Sequence, residues 1–286
     1  MTQQRKTSAA PTRRAAAAAS GRLAGPDASP IERSRPLSAR SVVASTLLGV
    51  DPPRLPSRLL VRSGELFGIS EGTTRVALSR MVAAGELALD DGSYHLAGRL
   101  LERHARQFAS RRDEHPTWDG SWTMAIVVAD RRDASERAAL RDAVRQLKLA
   151  ELREGVWIRP DNLRADASRA ARAVVDEQCQ WFAGEPRDDA AALAASLWDL
   201  DTWAAGAASL RRDMGALVGP LERGDTSPLA PAFVVSAAVL RHLLADPRLP
   251  DALLPAEWPG SDLRAEYDHY DAVFKRVWRD WFQDQQ

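Results

Sequence analysis

Gly68, Gly85 and the pair Asp91-Gly92 divide residues 37–97 into segments that few folds can accommodate. Ser38 to Gly49 reads as a helix capped by the serine and closed by the glycine, after which Asp51-Pro52-Pro53 breaks the chain. A second helix is expected from about Ser57 to Phe67, stopping at Gly68. Ser70 then caps a third helix, and Glu71 sits in its first turn, where a carboxylate suits the helix dipole. Thr74, Ala77, Leu78 and Met81 fall at i, i+3, i+4 and i+7, so one face of this helix turns inward before Gly85 ends it. From Glu86 to Leu96 apolar residues alternate on both sides of Asp-Gly, the pattern of a tight hairpin. Helix, turn, helix and hairpin in that order describe a winged helix-turn-helix over residues 37–97.

Such a head implies a polyanionic partner, yet the chain carries no net charge, with 39 Lys and Arg against 39 Asp and Glu. The total conceals a split. Residues 1–112 hold 18 Lys and Arg against 9 Asp and Glu, and residues 113–286 hold 21 against 30. A basic first part on an acidic remainder is the arrangement of a head that meets DNA and a body that stays off it. Residues 1–36, rich in Ala, Ser, Arg and Pro without apolar periodicity, are expected to form a disordered arm. The lone cysteine, Cys179, reads as buried packing. With no apolar run of spanning length and no signal-peptide core, the sequence predicts a cytoplasmic protein without membrane contact.

The remainder reads as three parts. Residues 98–116 predict a linker helix, about Ala97–Arg112, and residues 117–186 a middle domain. The middle domain has a strand at Thr123–Ala129, a helix over 134–148 with Leu140, Val144 and Leu147 on one face, a strand at Gly155–Pro160 and a strand-like stretch over Ala173–Ala183. That order predicts a ferredoxin-like sandwich. Residues 187–286 read as all-helical, interrupted at Gly219-Pro220 and at Pro247, Pro250, Pro255 and Pro259. The fold class is therefore α+β and mainly helical: winged helix-turn-helix, ferredoxin-like middle, helical C-terminal domain.

With its apolar stripe inward, the third helix presents Thr73, Arg75, Val76, Ser79 and Arg80 outward, with Ser70 at its start. The N-terminal part of a recognition helix lies nearest the base edges in the major groove. Arg75 is the candidate for a bidentate guanine contact, Thr73 and Ser79 for phosphate or thymine, and Arg80 for the backbone. Arg58 and Arg62 on the second helix are candidates for phosphates. The wing tip Asp90-Asp91-Gly92 is acidic and repels phosphate, leaving Ser93, Tyr94 and His95 as its only candidate contacts. Helix-turn-helix heads bind weakly alone, which predicts a homodimer on double-stranded DNA.

Several motifs then point to one family. Thr46-Leu47-Leu48-Gly49, Phe67-Gly68-Ile69-Ser70-Glu71 and Arg75–Gly85 occur in the head; Trp118-Asp119-Gly120-Ser121-Trp122 and Gly155–Pro160 in the middle; Trp198-Asp199-Leu200 and Asp246–Gly260 near the end. From Arg40 onward the chain resembles the PaaX-like regulators, bacterial repressors of phenylacetic acid catabolism. The resemblance implies a dimeric repressor that binds a palindromic operator and releases it when an aryl-acetyl coenzyme A thioester, such as phenylacetyl-CoA, binds. Gly72-Thr73-Thr74, the N-terminal arm and the acidic wing depart from the family pattern.

A thioester of that kind needs cations for its phosphates and an apolar slot for its acyl group. Trp122, Trp157, Arg159 and Trp198, with Arg241 and His242, are the candidates, expected to line a cleft between the middle and last domains. Buried packing is the competing role for the tryptophans. No glycine-rich phosphate loop is present, and the sequence calls for no cofactor. Asp268-His269-Tyr270-Asp271 collects titratable groups in an apolar-periodic helix and reads as a polar helix face. The sequence predicts no enzyme. The rival is a metal-dependent nuclease, since the middle domain also resembles the Cas2 nucleases and Asp130 follows its first strand. A DNA-binding adaptor without a ligand is the third reading.

Overall fold

The computed structural model describes residues 37–112, 117–163 and 168–283; the arm expected over residues 1–36 lies outside them. In the head, α1 (Ala39–Leu48), α2 (Ser57–Glu65) and α3 (Glu71–Ala83) pack around Val43, Leu47, Leu60, Leu78 and Met81. The Ser38 hydroxyl accepts from the Ser41 amide, and Ser70 accepts from Thr73, so both predicted caps form. α2 and α3 cross closely because Gly64 has no Cβ; one added there would lie 2.4 Å from Thr74 Oγ1. The turn between them closes with Gly68 at φ 68°. β2 (Leu87–Asp90) and β3 (Ser93–Leu96) form the hairpin, with Asp91 and Gly92 both at positive φ as a type I′ turn requires. A third strand, β1 (Arg54–Pro56), pairs with β3 and gives the order β1-β3-β2. Its three residues between prolines carry no readable alternation, so only the sheet edge reveals it.

Helix α4 (Gly98–Arg111) runs from the wing into the body. The middle domain follows as β4 (Trp122–Val127), α5 (Ala134–Gln146), β5 (Ala150–Arg153), β6 (Val156–Pro160), α6 (Arg169–Gln178) and β7 (Cys179–Gly184). The antiparallel order β5-β6-β4-β7 is that of a ferredoxin-like sheet. One expectation fails here, and one strand was unforeseen. The stretch Ala173–Ala183 is not one strand but the end of α6 followed by β7. Ala171, Val174, Val175 and Gln178 keep helical spacing, and all but half-buried Val174 are fully buried, so Val174-Val175 belongs to a helix despite its β-branching. β5 escapes the sequence because it is a short polar edge strand with a bulge between Glu151 and Arg153.

Alternation along the sheet separates two cores. Ala125, Trp157 and Cys179 face α5 and α6. Trp122, Ile158 and Met124 face α7 (Ala190–Leu197) and the short 3-10 turn Asp251–Leu253. The last part is α8 (Leu200–Glu222), α9 (Leu229–Ala245) and α10 (Gly260–Gln283), packed around Phe233, Leu243, Tyr267 and Tyr270. Pro220 lies inside α8 instead of interrupting it; in the last turn the lost amide donor removes a single helical hydrogen bond. No helix among the described residues is long and apolar enough to cross a membrane.

The junction between the parts is polar and tightly bonded. Asp246 and Arg264 form an ion pair at 2.5 Å with side chains 4% and 6% exposed, and Arg264 Nε also donates to the Ser110 carbonyl at the end of α4. Arg111 donates to Asp268 and Asp271 of α10 and lies over the Tyr267 ring. The Asp268–Asp271 cluster is thus half exposed face and half domain clamp, since Tyr270 and Asp271 are buried.

Candidate nucleic-acid interface and ligand cleft

On α3, Thr73, Arg75, Val76, Ser79 and Arg80 are all exposed, as the inward stripe of Thr74, Leu78 and Met81 requires. Arg75 is held by Glu71, with Nε at 2.8 Å and Nη2 at 2.6 Å from Oε1, while its side chain stays 59% exposed. An exposed pair of this kind contributes about 0–1 kcal/mol, less than the roughly 1–3 kcal/mol of a bidentate guanine contact. Val76, an apolar side chain 50% exposed on the same face, matches a thymine methyl group in character. The Ser70 hydroxyl is already committed to the Thr73 amide and hydroxyl, which makes it a cap first.

The other head residues divide. Arg58 is exposed on α2, but Arg62 is half-buried and sits 5.0 Å from the centroid of the Trp281 ring on α10. Its guanidinium fastens head to body, which departs from the phosphate role expected of it. On β3, Tyr94 shares the face of Leu96 and packs on the head core, so of the three wing residues only Ser93 and His95 occupy the other face. The acidic tip is partly neutralised, because Arg54 donates to the Asp90 carboxylate at 3.0 Å and to its carbonyl at 3.1 Å. Arg54 belongs to the strand the sequence did not reveal, and so did its role.

A second concave site of about 810 Å³ opens where α4, the middle domain and the α9–α10 connection meet. Arg106, Arg112, Arg145, Lys148, Arg159, Arg172 and Arg248 line it, against the carboxylates of Asp142 and Asp161. Arg159, 3% exposed, donates to the carbonyls of Pro160, Leu147, Lys148 and Arg248 and to Asn162 Oδ1. Lys148 donates to the Leu244 carbonyl. Neutral oxygens hold both groups in place without cancelling their charge. Burial pushes the Lys148 ammonium down to about 8, against the pull of Asp246 and with repulsion from Arg159, Arg248 and Arg106 added. Lys148 and Arg248 also have positive φ, 60° and 55°, a backbone state that costs a non-glycine residue about 1–3 kcal/mol. Trp181 closes one side, with the Arg172 guanidinium 3.7 Å from its ring centroid.

Comparison with known proteins places the chain. A PaaX-like protein model matches residues 38–100, the PaaX protein central Cas2-like domain matches 115–194, and the PaaX-like protein C-terminal domain matches 198–284. The solved structure of the uncharacterized protein Rv0674 from Mycobacterium tuberculosis is similar at 41% identity and TM-score 0.64, covering 85% of this chain and 98% of that chain. The chain belongs to the PaaX-like family. No curated protein matches. As a PaaX-like protein it is a transcriptional regulator and not an enzyme.

The family motifs turn out to be joints. In Trp118–Trp122, the Asp119 carboxylate accepts from the Ser121 amide and hydroxyl, Gly120 takes φ 97°, and Trp118 Nε1 donates to the Ser121 carbonyl, which together make a turn ahead of β4. In Asp246–Gly260, Asp246 clamps Arg264, the Arg248 carbonyl accepts from Arg159 and Asn162, and the Arg248 guanidinium donates to the Ala109 and Arg112 carbonyls of α4.

The six effector candidates, four from the PaaX-like motifs and two from the C-terminal helical part, do not converge. Only Arg159 borders the cationic cleft. Trp122 and Trp198, with ring centroids 6.3 Å apart, are core partners beneath the sheet, and Trp157 is buried on its opposite face. His242 stacks on Trp203 at 4.5 Å and its Nε2 meets the Trp203 carbonyl at 3.0 Å; burial lowers its pKa. Arg241 points to a different cavity. Motif residues were chosen for chemistry, but here they serve packing. What the sequence reading missed are Lys148, Arg106, Arg112, Arg145, Arg172 and Arg248, whose common feature is a convergence that spacing does not encode. Asp130 is exposed beyond the end of β4, and among the described residues no three His, Cys, Asp or Glu side chains gather as a metal site.

Proposed function

We propose that this protein is a homodimeric repressor that reads a palindromic operator through α3 and is released when an acyl-CoA thioester enters the cationic cleft. The exposed, preoriented face Thr73–Arg80 supports the DNA half of this reading. The cleft carries the effector half: seven cations line about 810 Å³, and although Arg106, Arg145 and Arg172 pair with Glu102, Asp142 and Asp176, Lys148 and Arg159 are held by neutral oxygens, which suits the phosphates of a coenzyme A better than a neutral ligand. Two of those cations stand on strained backbone, and such strain persists where the surroundings and a ligand use it. Trp181 beside Arg172 offers a flat surface for an aromatic group.

Transmission has a short path. α4 contributes Arg106, Ala109, Ser110 and Arg112 to the cleft, and its other end is fixed to the wing. There the Ala97 amide donates to Glu86, and Gly98 approaches so closely that a Cβ would lie 2.9 Å from the Gly85 carbonyl. A ligand that shifts the Arg112 end of α4 therefore moves the recognition helix through the residues that terminate it. Operator binding measured by fluorescence anisotropy with phenylacetyl-CoA, other acyl-CoA thioesters and free coenzyme A tests the reading. Weakening by a thioester and not by free coenzyme A is expected; unchanged affinity across the panel leaves the DNA-binding adaptor.

A further inference from the structure

On the other side of α4 lies a cavity of about 690 Å³ whose walls come from both the head and the helical domain. α1 and the β1–α2 region form one wall and α9 with α10 the other. Its character is unlike that of the cationic cleft. Phe108, Phe233, Phe274 and Trp278 give it an aromatic lining, with Phe233 and Trp278 stacked at 5.6 Å. Arg103 and Arg241 face each other across it, and among the described residues neither has a carboxylate within ion-pairing distance. The carboxylate of Asp271, also on the wall, is already taken by Arg111 and Lys275, and Asp51 is exposed at the rim. Burial lowers the pKa of both arginines, with repulsion from Arg106 added at Arg103 and from Arg103 at Arg241. Gln107, 4% exposed, has an Oε1 with no hydrogen-bond donor, and Arg103 Nε lacks an acceptor. Arg241 is exposed at the cavity mouth, whereas the buried Arg103 Nε and Gln107 amide oxygen without partners are costly to leave so.

We propose that this cavity is a second ligand site, taking a small organic anion with a flat apolar body and one carboxylate, and that its occupancy is felt by the head. The aromatic walls take the body and the Arg103–Arg241 pair takes the carboxylate, whose single charge offsets their repulsion. Rotation of the soft terminal torsion of Gln107 lets its amide meet a polar substituent. Arg279 also lines the cavity, donating to the Lys275 carbonyl, and Lys275 is paired with Asp271, so the lining offers fewer cations than the other cleft and suits one carboxylate better than a polyphosphate. The volume is within the range of small-molecule sites. Because the walls belong to two domains joined by Phe67 on Phe233 at 5.2 Å and Arg62 on Trp281, a filled cavity alters how firmly the head is seated. This second clause rests on the operator-binding reading above; the binding clause does not.

Isothermal titration of the full chain with 2-naphthoate, against 2-naphthylmethylamine as the cationic control, tests the site. Saturable binding of the naphthoate alone is expected. Arg103→Met and Arg241→Met should each weaken it by about tenfold or more, the loss of one charge-assisted hydrogen bond. Ala237→Trp, which fills the cavity from α9, should abolish binding, and it covers the case in which an arginine variant fails to fold. No saturable binding, equal binding of the amine, or binding retained in all three variants overturns the assignment. If naphthoate binds but operator affinity does not change, the coupling is overturned and the site stands. Response to a coenzyme A thioester should persist in Arg103→Met, so loss of that response in the unaltered chain indicts the other cleft instead.

Discussion

The candidate DNA contacts of α3 lie between Ser70 and Arg80 on one helix, whereas the cations around the cleft come from α4 and its C-cap, α5, the α5–β5 loop, β6, α6 and the α9–α10 connection. In the first case a single periodicity positions the site. In the second, residues as distant as Arg159 and Arg248, 89 positions apart, share one hydrogen-bond network. The recognition face can therefore change residue by residue without disturbing the fold, and the cleft cannot. Three of its cations, Lys148, Arg159 and Arg248, are anchored on backbone carbonyls that also join the domains.

The sharpest test of that contrast is the joint itself. Asp246→Ala leaves Arg264 buried without its carboxylate, a loss of about 3–5 kcal/mol by analogy with other broken buried pairs. Thermal denaturation followed by circular dichroism should show a large drop, and a melting temperature unchanged from the parent would mean the junction is not a coupling element. On the DNA side, Arg75→Ala should cost about 1–3 kcal/mol of operator discrimination while leaving the melting temperature in place. Anisotropy against specific and scrambled duplexes measures it, and equal losses on both would move base reading to another side chain.

Smaller effects separate the cleft from the face. Lys148 should carry an anion's affinity at neutral pH and lose that contribution as pH rises through about 8, where its ammonium deprotonates. Titrating coenzyme A into the parent and Lys148→Met across that range should show a pH slope only in the parent. The slightest change is expected of Glu71→Ala: loss of an exposed ion pair changes stability by about 0–1 kcal/mol, and operator affinity should hold or rise as Arg75 is released. A marked loss of affinity would instead make Glu71 the residue that orients Arg75 for the groove.

Much of the head was readable in advance because its signals are local. Ser38 and Ser70 cap, Gly68 and Gly85 terminate, and Asp91-Gly92 turns, each through conformational preferences that act within a few residues. β1 and β5 were not, since three or four residues without alternation become strands only when β3 or β6 lies alongside. The same limit explains the failed effector set. Trp122, Trp157 and Trp198 have the right chemistry for a ligand, but which face of a sheet or domain they occupy is settled by packing, and all three are buried or half-buried in cores.

By itself the sequence determined the winged helix-turn-helix, the ferredoxin-like type of the middle domain without its β5 and α6, and the PaaX-like motifs, because helical and strand periods and turn residues act over short spans. Only the tertiary structure decided that Arg62 faces Trp281, that Arg159 is sealed among carbonyls, and that seven cations meet in one cleft. Those outcomes depend on how domains dock across α4, and the apolar burial that drives docking is non-directional, so no spacing within the chain specifies which distant charges it brings together.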